Sequence, residues 1–144
     1  MPLHGLEHAL VLTDDLERTK AFYCEVLGFE VGERPPLPFP GYWLSLDGAA
    51  CLHVAERAAY EAHAADVGLR RSNGPIDHLA FAADGHEALA ARLEAAEVEV
   101  VTNDVPAAGI RQLFIDDPNG VRIELNLAPG SEPASASPQP REDP

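Results

Sequence analysis

The sequence predicts an α+β fold of two tandem βαβββ modules, with mixed sheets around a cleft and helices outside. Three observations predict it. Residues 6–31, LEHALVLTDDLERTKAFYCEVLGFEV, return in altered form at 76–100 as IDHLAFAADGHEALAARLEAAEVEV. The piece WLSLDGAACLHV (43–54) returns as QLFIDDPNGVRIEL (112–125). Each member of the first pair runs from a strand-like stretch into an amphipathic helix and closes on a short strand, and each member of the second reads as strand, Asp-containing turn, strand.

The repeat fixes the architecture, because self-similarity at one period marks a duplicated unit. Each copy opens apolar-acid-His, runs on apolar, reaches Asp, enters an amphipathic helix and closes on a short strand. His8 then aligns with His78, an offset of 70 residues, and His53 with Glu124, an offset of 71. A ligand-type residue thus falls on a ligand-type residue twice.

A first helix is predicted over 14–27, with Leu16, Ala21, Phe22 and Leu27 as its stripe. Asp14 or Asp15 caps it, Glu17 sits in its first turn, and Gly28 ends it at C′. A second is predicted over 86–97, with Leu89, Leu93 and Ala96 inward and Asp84 as cap. A short helix over Ala58–Val67 precedes the turn Asn73-Gly74-Pro75. The loop ERPPLPFPG, 33–41, holds four prolines and is placed at the rim of a cavity. Asp116-Asp117-Pro118-Asn119-Gly120 reads as a hairpin turn.

Strand alternation sorts the faces. Val121, Ile123 and Leu125 point one way; Arg122, Glu124 and Asn126 point the other. Leu52 and Val54 pack under a helix, so His53 faces with Cys51 and Ala55. His8 shares a face with Leu10 and Leu12, and His78 shares one with Ala80 and Ala82.

The chain has 144 residues, 46% hydrophobic, about one domain's worth. The domain is assigned to 1–128: module one 5–57, linker 58–74, module two 75–128. The Pro, Ser and Ala-rich stretch 129–144 cannot bury enough apolar area to offset ordering and is expected to be a disordered tail. A formal charge of −14 speaks against nucleic acid and anionic membranes as partners. Cys24 and Cys51 form no disulfide framework and no CxxC pair. With no signal peptide or membrane-length apolar run, a cytoplasmic location is expected.

His8, His53, His78 and Glu124 are the candidate metal ligands. Three imidazoles and a carboxylate suit Zn, Ni, Co, Fe or Mn, and on an octahedral ion they leave about two positions for substrate oxygens. His4, His63 and His86 have no repeat partner and are expected at the surface. Arg111, Gln112, Arg122 and Asn126 are candidates to reach the cleft. Tyr42, Trp43, Phe114 and Arg122 are the candidate substrate contacts, with Phe39 beside them.

These residues resemble the vicinal oxygen chelate superfamily, which includes glyoxalase I, extradiol dioxygenases, fosfomycin resistance enzymes, methylmalonyl-CoA epimerase and bleomycin resistance proteins. The resemblance covers 5–127. It rests on GLEHALVLTDDLERTKAFYCEVLGFEV, the restart PIDHLAF, and QLFIDDPNGVRIEL. It implies paired modules around an open barrel-like cleft and a divalent metal, with ligands at His8, His78 and Glu124. His53 stands where glyoxalase I-like members carry Glu and epimerase-like members Gln. The expected function is a small metal-dependent lyase or isomerase resembling glyoxalase I. It would chelate two vicinal oxygens of a small-molecule substrate and stabilise an enediolate, with Glu124 and His53 as proton-moving groups. An extradiol-type dioxygenase and a bleomycin-resistance-like binding protein are the alternatives. A homodimer is expected, since superfamily members build the cleft within one chain or across two.

Overall fold

The computed structural model describes residues 5–69 and 75–127. The tail expected at 129–144, and His4, lie outside the described residues. The strands are β1 (Ala9–Thr13), β2 (Glu30–Gly32), β3 (Gly41–Leu46), β4 (Ala49–Glu56), β5 (His78–Ala83), β6 (Val101–Val105), β7 (Ile110–Asp116) and β8 (Arg122–Leu127). The helices are α1 (Leu16–Ala21), α2 (Arg57–Asp66) and α3 (His86–Ala95). The order is βαβββ twice, with α2 in the connection.

The two sheets have the same plan. One runs β1-β4-β3-β2 and the other β5-β8-β7-β6. Neither closes into a barrel. In the first, β1 pairs parallel with β4, bringing Leu10 beside His53. β4 pairs antiparallel with β3, bringing Trp43 opposite His53. Asp47-Gly48 joins them with positive φ at both residues (48° and 78°), the conformation that a two-residue hairpin turn requires.

Contacts divide the chain into two compact units: Met1–Leu79 with Asp116–Arg122, and Ala80–Ile115 with Ile123–Pro144. In the first unit, Leu44, Leu52 and Val54 are fully buried with Tyr23, Phe22 and Phe29 of the helical face. Burying each such apolar side chain contributes about 1.5–3 kcal/mol. In the second unit Leu93, Leu113, Ile115, Ile123 and Leu125 form the core.

The helix expected over 14–27 has two parts. Asp15 caps α1, its carboxylate accepting from Arg18 N–H. From Phe22 to Val26 the helix widens into a π turn, with Leu27 N–H reaching back to Phe22 O. Gly28 follows at φ 81°, and Phe29 N–H closes the end on Tyr23 O. The expected cap of the later helix is corrected. Gly85, at φ 64°, stands at the N-cap of α3 without a side-chain cap, not Asp84. Ala96 is exposed, and α3 ends before it. β6 starts at Val101, just past the predicted piece.

The β7–β8 turn belongs to the first unit. Asp117, 5% exposed, accepts from Asn119 N–H (2.7 Å), Val121 N–H (2.8 Å), Tyr23 O–H (3.0 Å) and the Asn119 amide (3.2 Å). The Asn119 amide also donates to Thr19 Oγ1, which is bonded to Thr13. Burial, aided by the Asp117 carboxylate, pushes the Tyr23 phenol well above its ordinary range.

Candidate metal and substrate site

His8, just before β1, and His78, the first residue of β5, are placed alike. His8 Nδ1 lies 3.0 Å from Glu7, and His78 Nδ1 lies 2.9 Å from Asp77. In each case the carboxylate is the residue just before the histidine. A carboxylate on Nδ1 fixes the proton there and aims Nε2 as the coordinating nitrogen, the usual outer-shell partnership of a metal-bound imidazole. Asp77 also takes Arg122 at 2.9 Å. The His78 hydrogen bond, then Arg122, holds its carboxyl below the usual range. Arg122 is therefore engaged at the surface with Asp77.

Glu124 is 6% exposed and sits on β8 between buried Ile123 and Leu125. Its Oε1 accepts from the Gln112 amide at 2.7 Å. Gln112 in turn accepts from Asn103 at 2.7 Å and approaches Asn126 Oδ1 at 3.3 Å. A row of amides from β6 through β7 thus orients the carboxylate. By alternation Phe114 shares the Gln112 face of β7. Arg111 pairs with Asp104 across β6–β7, at 2.8 Å, and both are exposed.

His53 is surrounded differently. It is 4% exposed, with Trp43 stacked on it at 4.6 Å (28°) and Phe39 at 5.8 Å (29°). His8 lies against Trp43 at 4.8 Å and 6.5 Å from the His53 ring. Arg34 Nε donates to His53 Nε2 at 3.4 Å. Arg34 Nη2 donates to Phe39 O at 2.6 Å, and the guanidinium lies 5.2 Å from the Phe39 ring. Burial, then Arg34, then His8 push the His53 pKa down to about 4. The ring is neutral at pH 7 with its proton on Nδ1, because Nε2 accepts.

This bears on which residues fit a metal. A neutral imidazole has one lone pair, and Arg34 uses that of His53. A cation beside a guanidinium is also disfavoured. His8, His78 and Glu124 each have the donor chemistry and the hydrogen-bond partner that suit a metal ligand; the His53 lone pair is not available while Arg34 holds it. Among the described residues no three His, Cys, Asp or Glu side chains stand close enough to form a ready cage.

Tyr42 is placed elsewhere. It alternates with Trp43 on β3, so its ring faces α1, where its hydroxyl donates to Glu17 and Lys20 Nζ lies 4.6 Å over it. It is a helix contact, not a wall of the His8–His53 face. His63 is half-buried and packs on Phe39 at 5.4 Å, and Tyr60 meets the same ring edge-on at 5.2 Å. The surface position expected for His63 gives way to this packing. His86 is half-buried. Sequence reasoning did not single out Arg34. It lies in a proline-rich loop without periodicity, so no pattern reveals where its side chain points.

Residues 5–125 match the family profile of the Glyoxalase/Bleomycin resistance protein/Dioxygenase superfamily. The chain belongs to this superfamily. It is 31% identical over 129 residues to "Glyoxylase I 4" of Arabidopsis thaliana, covering 86% of this chain and 72% of that protein. It is 28% identical over 133 residues to the mitochondrial methylmalonyl-CoA epimerase of Bos taurus, covering 88% and 75%. A lactoylglutathione lyase structure from Agrobacterium tumefaciens shares the fold, with TM-score 0.68 at 24% identity over 88% of this chain and 95% of that one. Members of the superfamily bind small molecules and typically divalent metals. Among the described residues, no helix is long and apolar enough to cross a membrane.

Proposed function

We propose that this protein is a metal-dependent enzyme resembling glyoxalase I, acting on a small substrate with two neighbouring oxygens. The observation that carries the reading is the repeated carboxylate–histidine pair, Glu7–His8 and Asp77–His78. His8, His78 and Glu124 are the side chains that would ligate the ion, met within one chain or across two; Zn, Ni, Co, Fe or Mn suits them. The metal would supply Lewis-acid polarisation of the substrate's oxygens. Glu124, held by Gln112, moves the proton. His53 shares that task only once its Nε2 is released by Arg34. A homodimer in the cytoplasm remains part of the reading.

The test is metal analysis of the purified protein, followed by an assay with methylglyoxal and thiol cofactors after chelation and reloading. Activity that disappears on chelation and returns with one divalent ion is expected. Inactivity with every ion would sink the reading. The Phe39–His53–Trp43 stack favours a second reading, a binding protein of the bleomycin resistance type. Stabilisation by a planar drug-like ligand, with no response to chelator, would support it instead. An extradiol dioxygenase shares the ligand set and predicts oxygen uptake with catechols on iron loading.

A further inference from the structure

Arg34 is a cation without an anion. Its two hydrogen-bond acceptors are neutral, a backbone carbonyl and an imidazole, and the second bond is long at 3.4 Å. No carboxylate among the described residues pairs with it, in a chain of formal charge −14. A guanidinium has five N–H donors, and only two are used here. A guanidinium that merely closed a loop would gain most from one of the many available acids.

The surroundings are built for it. Phe39 O fixes one nitrogen at 2.6 Å, and the Phe39 ring lies under the plane. Gly41 leaves the space beside it open: a Cβ there would come within 3.1 Å of Nη2 and 3.2 Å of Nε, and within 2.4 Å of Val54 O. Four prolines at 35, 36, 38 and 40 stiffen the loop that carries it. Arg34 is half-buried, and Trp43 and His53 share its side of the sheet. A low-dielectric wall of this kind strengthens a charge-assisted bond.

We propose that Arg34 is the specificity-determining anchor for an anionic substrate, binding a carboxylate beside the Trp43–His53 stack. The guanidinium fork matches the planar carboxylate in two parallel bonds. The incoming anion takes the Nε–H that now rests on His53 Nε2. Arg34 thereby both selects the substrate and releases the imidazole when the substrate arrives. The species bound at this face is thus one that carries a carboxylate. This rests on the proposed enzyme only for the choice of face; the anchor itself needs no metal.

Trp43 is the sole tryptophan and touches His53, so its fluorescence reports the site. The test titrates metal-stripped protein with benzoate, its neutral isostere benzamide, and phenylphosphonate. Benzoate is expected to change Trp43 emission saturably, with benzamide about tenfold weaker or worse, the loss typical of a removed charged hydrogen bond. Arg34→Gln should lose benzoate by a similar factor, and Arg34→Lys should regain part of it. Equal binding of benzoate and benzamide by the wild type would overturn the proposal, whatever the variants do. So would failure of benzoate to bind, or unchanged affinity in Arg34→Gln. Tighter binding of phenylphosphonate than benzoate would overturn the carboxylate assignment. Because no metal is present, these results stand apart from success or failure of the metal assay.

Discussion

At the scale of single residues, His53 decides how the site responds to acid. Its folded pKa of about 4 lies below the ordinary imidazole value of 6.5. Protonation therefore favours the unfolded chain. The stability from keeping it neutral is complete above about pH 6.5 and is lost as pH falls towards 4. A displacement of this size corresponds to about 3 kcal/mol. His53 ring signals in NMR should stay those of the neutral Nδ1–H tautomer down to about pH 4. Removing the second cause by Arg34→Gln should raise that midpoint while leaving it below 6.5, since burial remains. An unchanged midpoint would mean that the guanidinium does not act on this ring. The residue was legible in the sequence; its state was not. Alternation along ACLHVA gave His53 its face, but the loop that delivers Arg34 and Phe39 has no period to read. Tyr42 shows the converse. Its one-residue offset from Trp43 put it under α1, a direction that strand alternation alone already contained.

At the scale of elements, the β7–β8 turn carries more than its hairpin geometry. Asp117 satisfies four donors at once and links the turn to Tyr23 on the π turn and, through Asn119, to Thr19 on α1. Asp117→Ala leaves a buried phenol and two backbone N–H groups without acceptors, a cost of about 2–4 kcal/mol. Urea denaturation should show this loss, while Asp116→Ala, at an exposed neighbour, should stay within about 0.5 kcal/mol. Similar midpoints for the two variants would refute the docking role. The sequence announced a turn here through Asp-Pro-Asn-Gly. It did not announce which of two adjacent aspartates is buried, because that depends on a tyrosine 94 residues earlier in the chain. Helix ends were legible at Asp15, where a side chain caps, and at Gly28, where a glycine follows the last turn. The start of α3 was not, because Gly85 stands at its N-cap and offers no side chain. The π turn was hidden too: it forms the last turn, Phe22–Val26, with no helix beyond it whose stripe it would shift.

At the scale of the whole molecule, duplication makes a prediction that no single module would. The tripeptides Leu6-Glu7-His8 and Ile76-Asp77-His78 are the same device used twice, and each acid holds the Nδ1 of the histidine that follows. If both histidines ligate one kind of ion, Glu7→Gln and Asp77→Asn should each weaken metal affinity, by roughly 10–100-fold. The two losses need not match. Asp77 also carries Arg122, so its variant frees a cation near His78, and that charge adds to the loss. Asp77→Asn is therefore expected to be the more damaging of the pair, and adding Arg122→Gln should recover the excess. Calorimetric titration of each variant with zinc checks this. Metal affinity untouched by both changes would show that the repeated acids hold the histidines for the fold alone. In that case the stack around His53, not the repeated histidines, would be the feature to explain.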